Sequence, residues 1–388
     1  MKHTKNIMKY LLICALLLFS CKKNETSTAS NQNTPKQEQE QLKPDLTKNY
    51  WHLEGKIGDI PVAMELIKHQ DFVESGENEA NKISFSGTYY YLSEEKPIQF
   101  YQKDSVFVNN KLNLNAVIDF NKEETFSGDF DGLTFKGTWE SKGKKQLFEL
   151  KETYASNQIP LQYFGISKNI NFEENTATYN EEVFATSSNS LINDTIKKVM
   201  FGNTKGDINN LLHISLADYE KNYLEDMKNF KKEFGESSAT NNYVVSTSFF
   251  PVVNTGKRMV FEHNFYEYTG GAHGNGGSIF YNYDAQQNKF LSRNDIFKSS
   301  KTELDKMVNN EVYEKYKLAK NTPLQDLQSD EVSFLVESVP FTDNFILTKK
   351  GIIFYYNPYE VGPYSMGSYQ LYIPYEKMKP HLNTSFKY

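Results

Sequence analysis

The chain has 388 residues, is 38% hydrophobic and 24% charged, and carries 28 Phe and 26 Tyr at a formal net charge of −6. That length accommodates two or three domains with real cores, and aromatic content without many aliphatics suits β-sheets and wet binding faces. An acidic balance with no concentrated basic patch excludes nucleic acid as a partner.

Residues 1–20 read as a signal peptide. Lys2, Lys5 and Lys9 form a basic start, and Tyr10–Phe19 is an apolar stretch too short to cross a bilayer. Leu18-Phe-Ser-Cys21 resembles a bacterial lipobox, which makes Cys21 the expected lipidation site and the membrane the first expected partner. Such anchoring needs more than one acyl chain, since one alone binds only marginally. The chain has 2 cysteines. Cys14 falls in the discarded peptide and Cys21 is consumed by lipid, so thiol catalysis and cysteine–metal sites are not expected. Residues 21–48 are lipidated cysteine followed by Lys, Asn, Ser, Thr, Gln and Glu, a composition that cannot bury enough surface to fold and reads as a tether.

Residues 49–153 are expected to form a β-rich domain, an antiparallel sandwich or barrel. Alternating runs such as Pro61–Ile67 and Leu112–Asp119 are separated by polar turn clusters. A local repeat places aromatic, glycine and aromatic at alternate positions: Phe85-x-Gly-x-Tyr89, Phe126-x-Gly-x-Phe130 and Phe135-x-Gly-x-Trp139. Those residues share one strand face. The reading is core packing, with glycine leaving room for a neighbouring ring, and a sugar-stacking platform is the sharper alternative.

Residues 154–388 are expected to be an α+β domain with an antiparallel sheet packed by helices. After an extended stretch over 170–184, Ser190–Met200 reads as a short helix. A long one follows with apolar residues at threes and fours from Ile208 to Phe234, capped by Asp207 and ended by Gly235. Strands are expected over Tyr243–Val253 and Met259–Tyr268. Ser300-Lys-Thr-Glu303 is a capping box opening a further helix, with Leu304, Met307, Val308 and Leu318 on its inner face. The strand Gly351–Tyr356, the turn Asn357-Pro358 and a strand at Tyr369–Ile373 close the chain.

Three segments carry a family resemblance: Tyr268-Thr-Gly-Gly-Ala-His-Gly274 with Tyr281–Asp284 and Leu291–Phe297; Phe345–Tyr355 running into Asn357-Pro-Tyr-Glu-Val-Gly-Pro-Tyr364; and Gly367–Pro374. Over roughly residues 155–385 the chain resembles extracytoplasmic domains shared by the anti-sigma factor and lysozyme receptor RsiV and the peptidoglycan deacetylase PdaC. The resemblance implies an envelope-exposed module. The chain shows neither a sigma-binding segment nor the Asp/His metal motif of a deacetylase.

The candidate ligand-binding residues are His273 with Gly270, Gly271 and Gly274, and Tyr359, Glu360 and Tyr364. Glycines flanking a histidine make a turn whose imidazole and backbone N–H groups are accessible, and two tyrosines with a carboxylate in a tight loop have the composition of a recognition surface. His263 shares a strand face with Phe261 and Phe265 and reads as a packed, hydrogen-bonded core histidine. A zinc pair of His263 and His273 lacks a third ligand at recognisable spacing, so neither metal nor cofactor is expected. There is no phosphate-binding loop, dinucleotide glycine pattern or nucleophile elbow. The expectation is therefore a non-enzymatic, lipid-anchored protein of the bacterial envelope, facing periplasm or cell surface, that binds a lysozyme-like protein or a cell-wall glycan. The alternative is an envelope hydrolase using His273 with Glu360 or another carboxylate, which requires that histidine and a carboxylate to converge in one cleft.

Overall fold

The computed structural model describes residues 42–71, 82–103, 107–119, 122–155, 158–235, 241–319, 322–326 and 332–388. The residues read as a signal peptide, Cys21 and most of the expected tether lie outside the described residues.

Eight strands, each antiparallel to its neighbour, close into a barrel in chain order: β1 (Tyr50–Ile57), β2 (Ile60–Asp71), β3 (Lys82–Tyr91), β4 (Ile98–Gln102), β5 (Lys111–Asp119), β6 (Lys122–Phe130), β7 (Thr134–Ser141) and β8 (Lys144–Glu152). Pairing of β8 onto β1 resolves the sandwich-or-barrel alternative, and closure removes the free edges that an open sheet would expose. Alternate residues point inward, so Trp51, Phe85, Tyr89, Phe126, Phe130, Phe135 and Phe148 form one buried cluster. Several meet edge-to-face, as do Trp51 and Phe130 at 5.0 Å and Phe126 and Phe148 at 5.2 Å, the arrangement ring quadrupoles favour.

The aromatic–glycine–aromatic repeat belongs to this interior, as the packing reading requires. Its glycines make room for backbone rather than chiefly for rings. Gly128 and Gly137 are register partners, and a Cβ on either would stand 2.0 or 2.1 Å from a carbonyl oxygen of the facing strand. Glycine there lets two strands bend together where the barrel wall turns.

The second half builds a six-stranded sheet. The hairpin β9 (Gln162–Phe172) and β10 (Asn175–Ala185) is followed by helices α1 (Ser190–Phe201) and α2 (Ile208–Phe234), then β11 (Val244–Asn254), β12 (Arg258–Tyr268), β13 (Asn275–Asp284) and the short β14 (Lys289–Phe290). The order is β14-β13-β12-β11-β10-β9. Neighbours run antiparallel except β10 and β11, which are parallel because the two helices carry the chain back to the starting edge. Asp207 caps α2 by accepting from Asn210 N at 2.9 Å, and Gly235 ends it at a φ of +83°. Ile192, Ile196, Ile208 and Leu212 of the helices pack on Val183, Phe249, Met259 and Phe261, covering one face of the sheet.

The chain ends with α3 (Arg293–Ile296), α4 (Lys301–Lys315), a three-stranded antiparallel sheet of β15 (Phe345–Leu347), β16 (Gly351–Tyr356) and β17 (Tyr369–Pro374), and α5 (Tyr375–Met378). The Ser300–Glu303 capping box is present. Helix α4 stops at Lys315, so Leu318 packs on the core from beyond the helix. Strand β16 is central and buried on both sides. Ile352 and Phe354 enter the core under α4, while Ile353 joins Val260 and Phe280 of the large sheet and Ala63 and Tyr90 of the barrel. Two-sided burial explains its unbroken apolar run.

Barrel and sheet meet over the other face of the large sheet, and polar groups fix that seam. Glu65 is fully buried. It accepts from Tyr50 Oη at 2.6 Å, Tyr90 Oη at 2.7 Å and His52 Nδ1 at 2.9 Å. His52 Nε2 faces Glu54 at 3.2 Å. From β11, Asn254 donates its backbone N–H to Tyr90 Oη and its side-chain amide to Tyr50 Oη. Nearby, a register shift between Pro251 and Val253 leaves the Val252 carbonyl to accept from Thr88 Oγ1 at 2.6 Å. Proline is tolerated in the strand at such a bulge.

Burial alone would push the His52 pKa down, but the charges and hydrogen bonds of Glu65 and Glu54 outweigh it and raise the value to about 9. The imidazolium is therefore the buried counter-ion of Glu65. Because its folded pKa lies above the unfolded one, the stabilisation is complete below pH 6.5 and is lost as pH rises through about 9. Denaturant unfolding across that window is expected to show falling stability in the wild type, and a flat profile would exclude the imidazolium. His52→Ala leaves Glu65 buried without a counter-charge and is expected to cost about 3–5 kcal/mol in the same measurement.

Candidate functional site

Strand β12 ends at Tyr268 and β13 begins at Asn275, so residues 269–274 must reverse the chain. Gly270 and Gly271 do so with φ of +98° and +99°, values that L side chains rarely adopt. Gly274 serves a different need. A Cβ on it would stand 2.3 Å from Tyr266 Oη, so its role is close approach to that ring. The turn leaves His273 exposed. Its Nδ1 lies 2.8 Å from the Gly274 carbonyl oxygen. A carbonyl only accepts, so Nδ1 carries the proton, and Nε2 accepts from Tyr359 Oη at 3.1 Å.

The second loop, Asn357–Tyr364, follows β16. Tyr359 holds a left-handed φ of +71°, fixed by its N–H donating to Gly362 O and by Glu360 N donating to Asn357 O, both at 3.1 Å. The loop brings two rings onto His273. Tyr364 stacks at 4.1 Å and 15°, Tyr359 at 6.2 Å and 26°, and the two tyrosines lie 5.6 Å apart. Tyr359 is 52% exposed. His273, Tyr359 and Tyr364 thus form one aromatic platform from segments 86 residues apart in sequence. Glu360 is not part of it. Its carboxylate accepts from the Asn357 backbone N–H at 3.0 Å and faces the Asn357 amide, so it closes its own turn. Among the described residues no carboxylate hydrogen-bonds to His273, and the convergence a hydrolase needs is not met at this pair.

Asparagines hold the two loops together. Among the described residues the outer edge of β13 pairs only at its end, with β14. Asn357 Oδ1 accepts from Ser278 N at 2.7 Å, Asn344 Oδ1 accepts from Phe280 N at 2.9 Å, and Asn344 Nδ2 donates to Ser278 O at 2.7 Å. Asn282 then bridges to β15, donating to Phe345 O and accepting from Leu347 N. Side-chain amides replace a backbone ladder and occupy an edge that would otherwise invite pairing.

His263 stands on the helix-facing side of β12 between Phe249 and Phe265, where burial lowers its pKa; it packs as expected, but its Nδ1 lacks the expected hydrogen bond among the described residues, and it forms no pair with His273. No cluster of three or more potential metal ligands occurs among the described residues. The buried carboxylate Glu65 was missed by sequence reasoning, because a lone glutamate in an alternating strand has the pattern of a solvated position.

Asn357→Ala removes the acceptor of the buried Ser278 N–H and one partner of Glu360. It is expected to lower stability by about 1–3 kcal/mol in thermal or denaturant unfolding, with an altered ring resonance for His273 as the local sign that the platform has loosened.

Residues 294–376 match a family described as "Protein of unknown function (DUF3298)". Tyr359, Glu360 and Tyr364 fall inside the matched segment, and the His273 turn lies before it. No curated protein matches the chain significantly. Among solved structures, a member of the DUF3298 family from Bacteroides fragilis is 25% identical, with 59% of this chain and 96% of that chain covered at a TM-score of 0.51. A DUF3298 family protein from Pseudomonas aeruginosa is 18% identical, with 58% and 95% covered at a TM-score of 0.43.

Proposed function

We propose that this chain is a binding module of the bacterial cell envelope, anchored through lipid on Cys21, that captures a basic, lysozyme-like protein on the platform of His273, Tyr359 and Tyr364. The observation that carries the reading is the platform itself: three stacked rings, one half exposed, on loops locked by glycine turns and asparagine bridges. Aromatic anchors that are already ordered lose little entropy on binding, and tyrosine is enriched among the residues that dominate interface energies. The net charge of −6 favours encounter with a positively charged partner. The resemblance of the C-terminal half to the RsiV and PdaC domains motivates lysozyme as the first protein to try.

The test uses the secreted form beginning after the signal peptide, immobilised and challenged with lysozymes and with soluble wall fragments. Retention and inhibition of a lysozyme is the expected outcome. Tyr359→Ala and His273→Ala are each expected to weaken retention by roughly tenfold, the scale of an interface hot spot, while leaving the circular dichroism spectrum and melting temperature nearly unchanged. Retention of wall fragments alone would replace the protein partner by a glycan. No retention and no inhibition with either class would sink the proposal.

A further inference from the structure

Glu262 sits on β12 on the face turned toward the barrel, beside Val260 and opposite Phe280 of β13. It is 2% exposed. Ser278 Oγ donates to its Oε1 at 2.5 Å, while Oε2 is buried with no hydrogen-bonding partner among the described residues. Burial raises the Glu262 pKa, and Ser278 and the amides of Asn264 and Gln99 offset that only in part; neither amide completes a bond to Oε2. The residue lines a cavity of about 150 Å³ at the seam between barrel and sheet. Val252, Phe280 and Tyr355 wall it, and Gln99, Ile118 and Gln370, all exposed, edge its mouth. Among the described residues that line it, Glu262 alone is charged.

A buried, half-satisfied carboxylate is costly unless a donor or counter-charge meets it. The other buried carboxylate of the seam, Glu65, has its imidazolium and two phenols. Glu262 has an opening instead. At about 30 Å³ for each water-sized group the cavity holds roughly five non-hydrogen atoms. Apolar walls suit a short aliphatic stem, and the rings of Phe280 and Tyr355 suit a cation as their neighbour.

We propose that this cavity is a binding site for a protonated primary amine on a short aliphatic stem, with Glu262 as its counter-ion. The site is separate from the aromatic platform and does not rest on the function proposed above. Ser278 nevertheless touches both, bonding Glu262 through Oγ and Asn357 through its backbone N–H.

The test titrates n-butylammonium chloride into the full chain at about pH 8, where ordinary carboxylates and alkylammonium groups are both charged. Butan-1-ol serves as the neutral isostere and sodium chloride as the ionic-strength control, with NMR shifts of the Tyr355 and Phe280 rings as the readout. The expected result is saturable binding with a Kd near about 1 mM, and at least roughly tenfold weaker binding of butan-1-ol. Glu262→Gln removes the charge at constant shape and is expected to weaken butylammonium by at least roughly tenfold. Gln99→Lys, at an exposed position on the mouth, supplies a tethered ammonium and is expected to abolish the response to added amine. If Glu262→Gln fails to fold, Gln99→Lys decides. Non-saturable shifts, equal binding of the alcohol, or full amine binding by the folded variants would each overturn the proposal, leaving a cavity filled by solvent.

Discussion

Glu65 is a carboxylate with no exposed surface, placed where the outer wall of the barrel meets the large sheet. A charge there is tolerable only when it is bonded on every side, and the surrounding sequence supplies those bonds from three other strands. His52 comes from β1, Tyr90 from β3, and Asn254 from β11 completes the tyrosines. Misplacing any of these strands would leave an ion or a phenol buried without partners, which costs more than a lost apolar contact. The network therefore specifies how the two halves dock. The apolar surface beside it, with Ala63 and Tyr90 against Val253 and Val260, supplies much of the attraction but little of the register.

Docking fixes one face of the large sheet, and the outer edge of β13 then needs its own solution. An unpaired strand edge presents N–H and C=O groups at fixed intervals. Asn344 and Asn357 meet two of the N–H groups and one carbonyl, and Asn282 carries the connection on to β15. Amide side chains can do this because each offers both a donor and an acceptor. The consequence reaches the surface. Asn357 begins the loop that carries Tyr359 and Tyr364, so the same bond that quiets the edge sets the height of that loop against the His273 turn.

Glu65 and Glu262 show how environment separates two identical side chains on one seam. The first faces an imidazolium and two hydroxyls and behaves as part of the frame. The second is pushed up in pKa by burial, keeps one oxygen free and looks into a cavity. Glu360, which the sequence marks as a functional carboxylate, is by contrast occupied in closing a turn.

Much of the architecture was legible in the sequence because local rules decide it. Alternation marked the barrel strands, the spacing of Ile208, Leu211, Leu212 and their successors marked α2, and Asp207, Gly235 and Ser300 marked helix ends. The turn at Gly270–Gly271 was legible for the same reason, since positive φ is a property of single residues. Tertiary structure alone decided the closure of the barrel, the parallel pairing of β10 with β11, and the bulge at Pro251. It alone placed His273 against Tyr359 and Tyr364 while turning Glu360 away. Those outcomes depend on contacts between residues far apart in the chain, such as Glu65 with Tyr90 or Ser278 with Asn357. A charged or polar residue in an alternating strand reads the same whether it meets water or a distant partner, and only the packing of the second half on the first determines which.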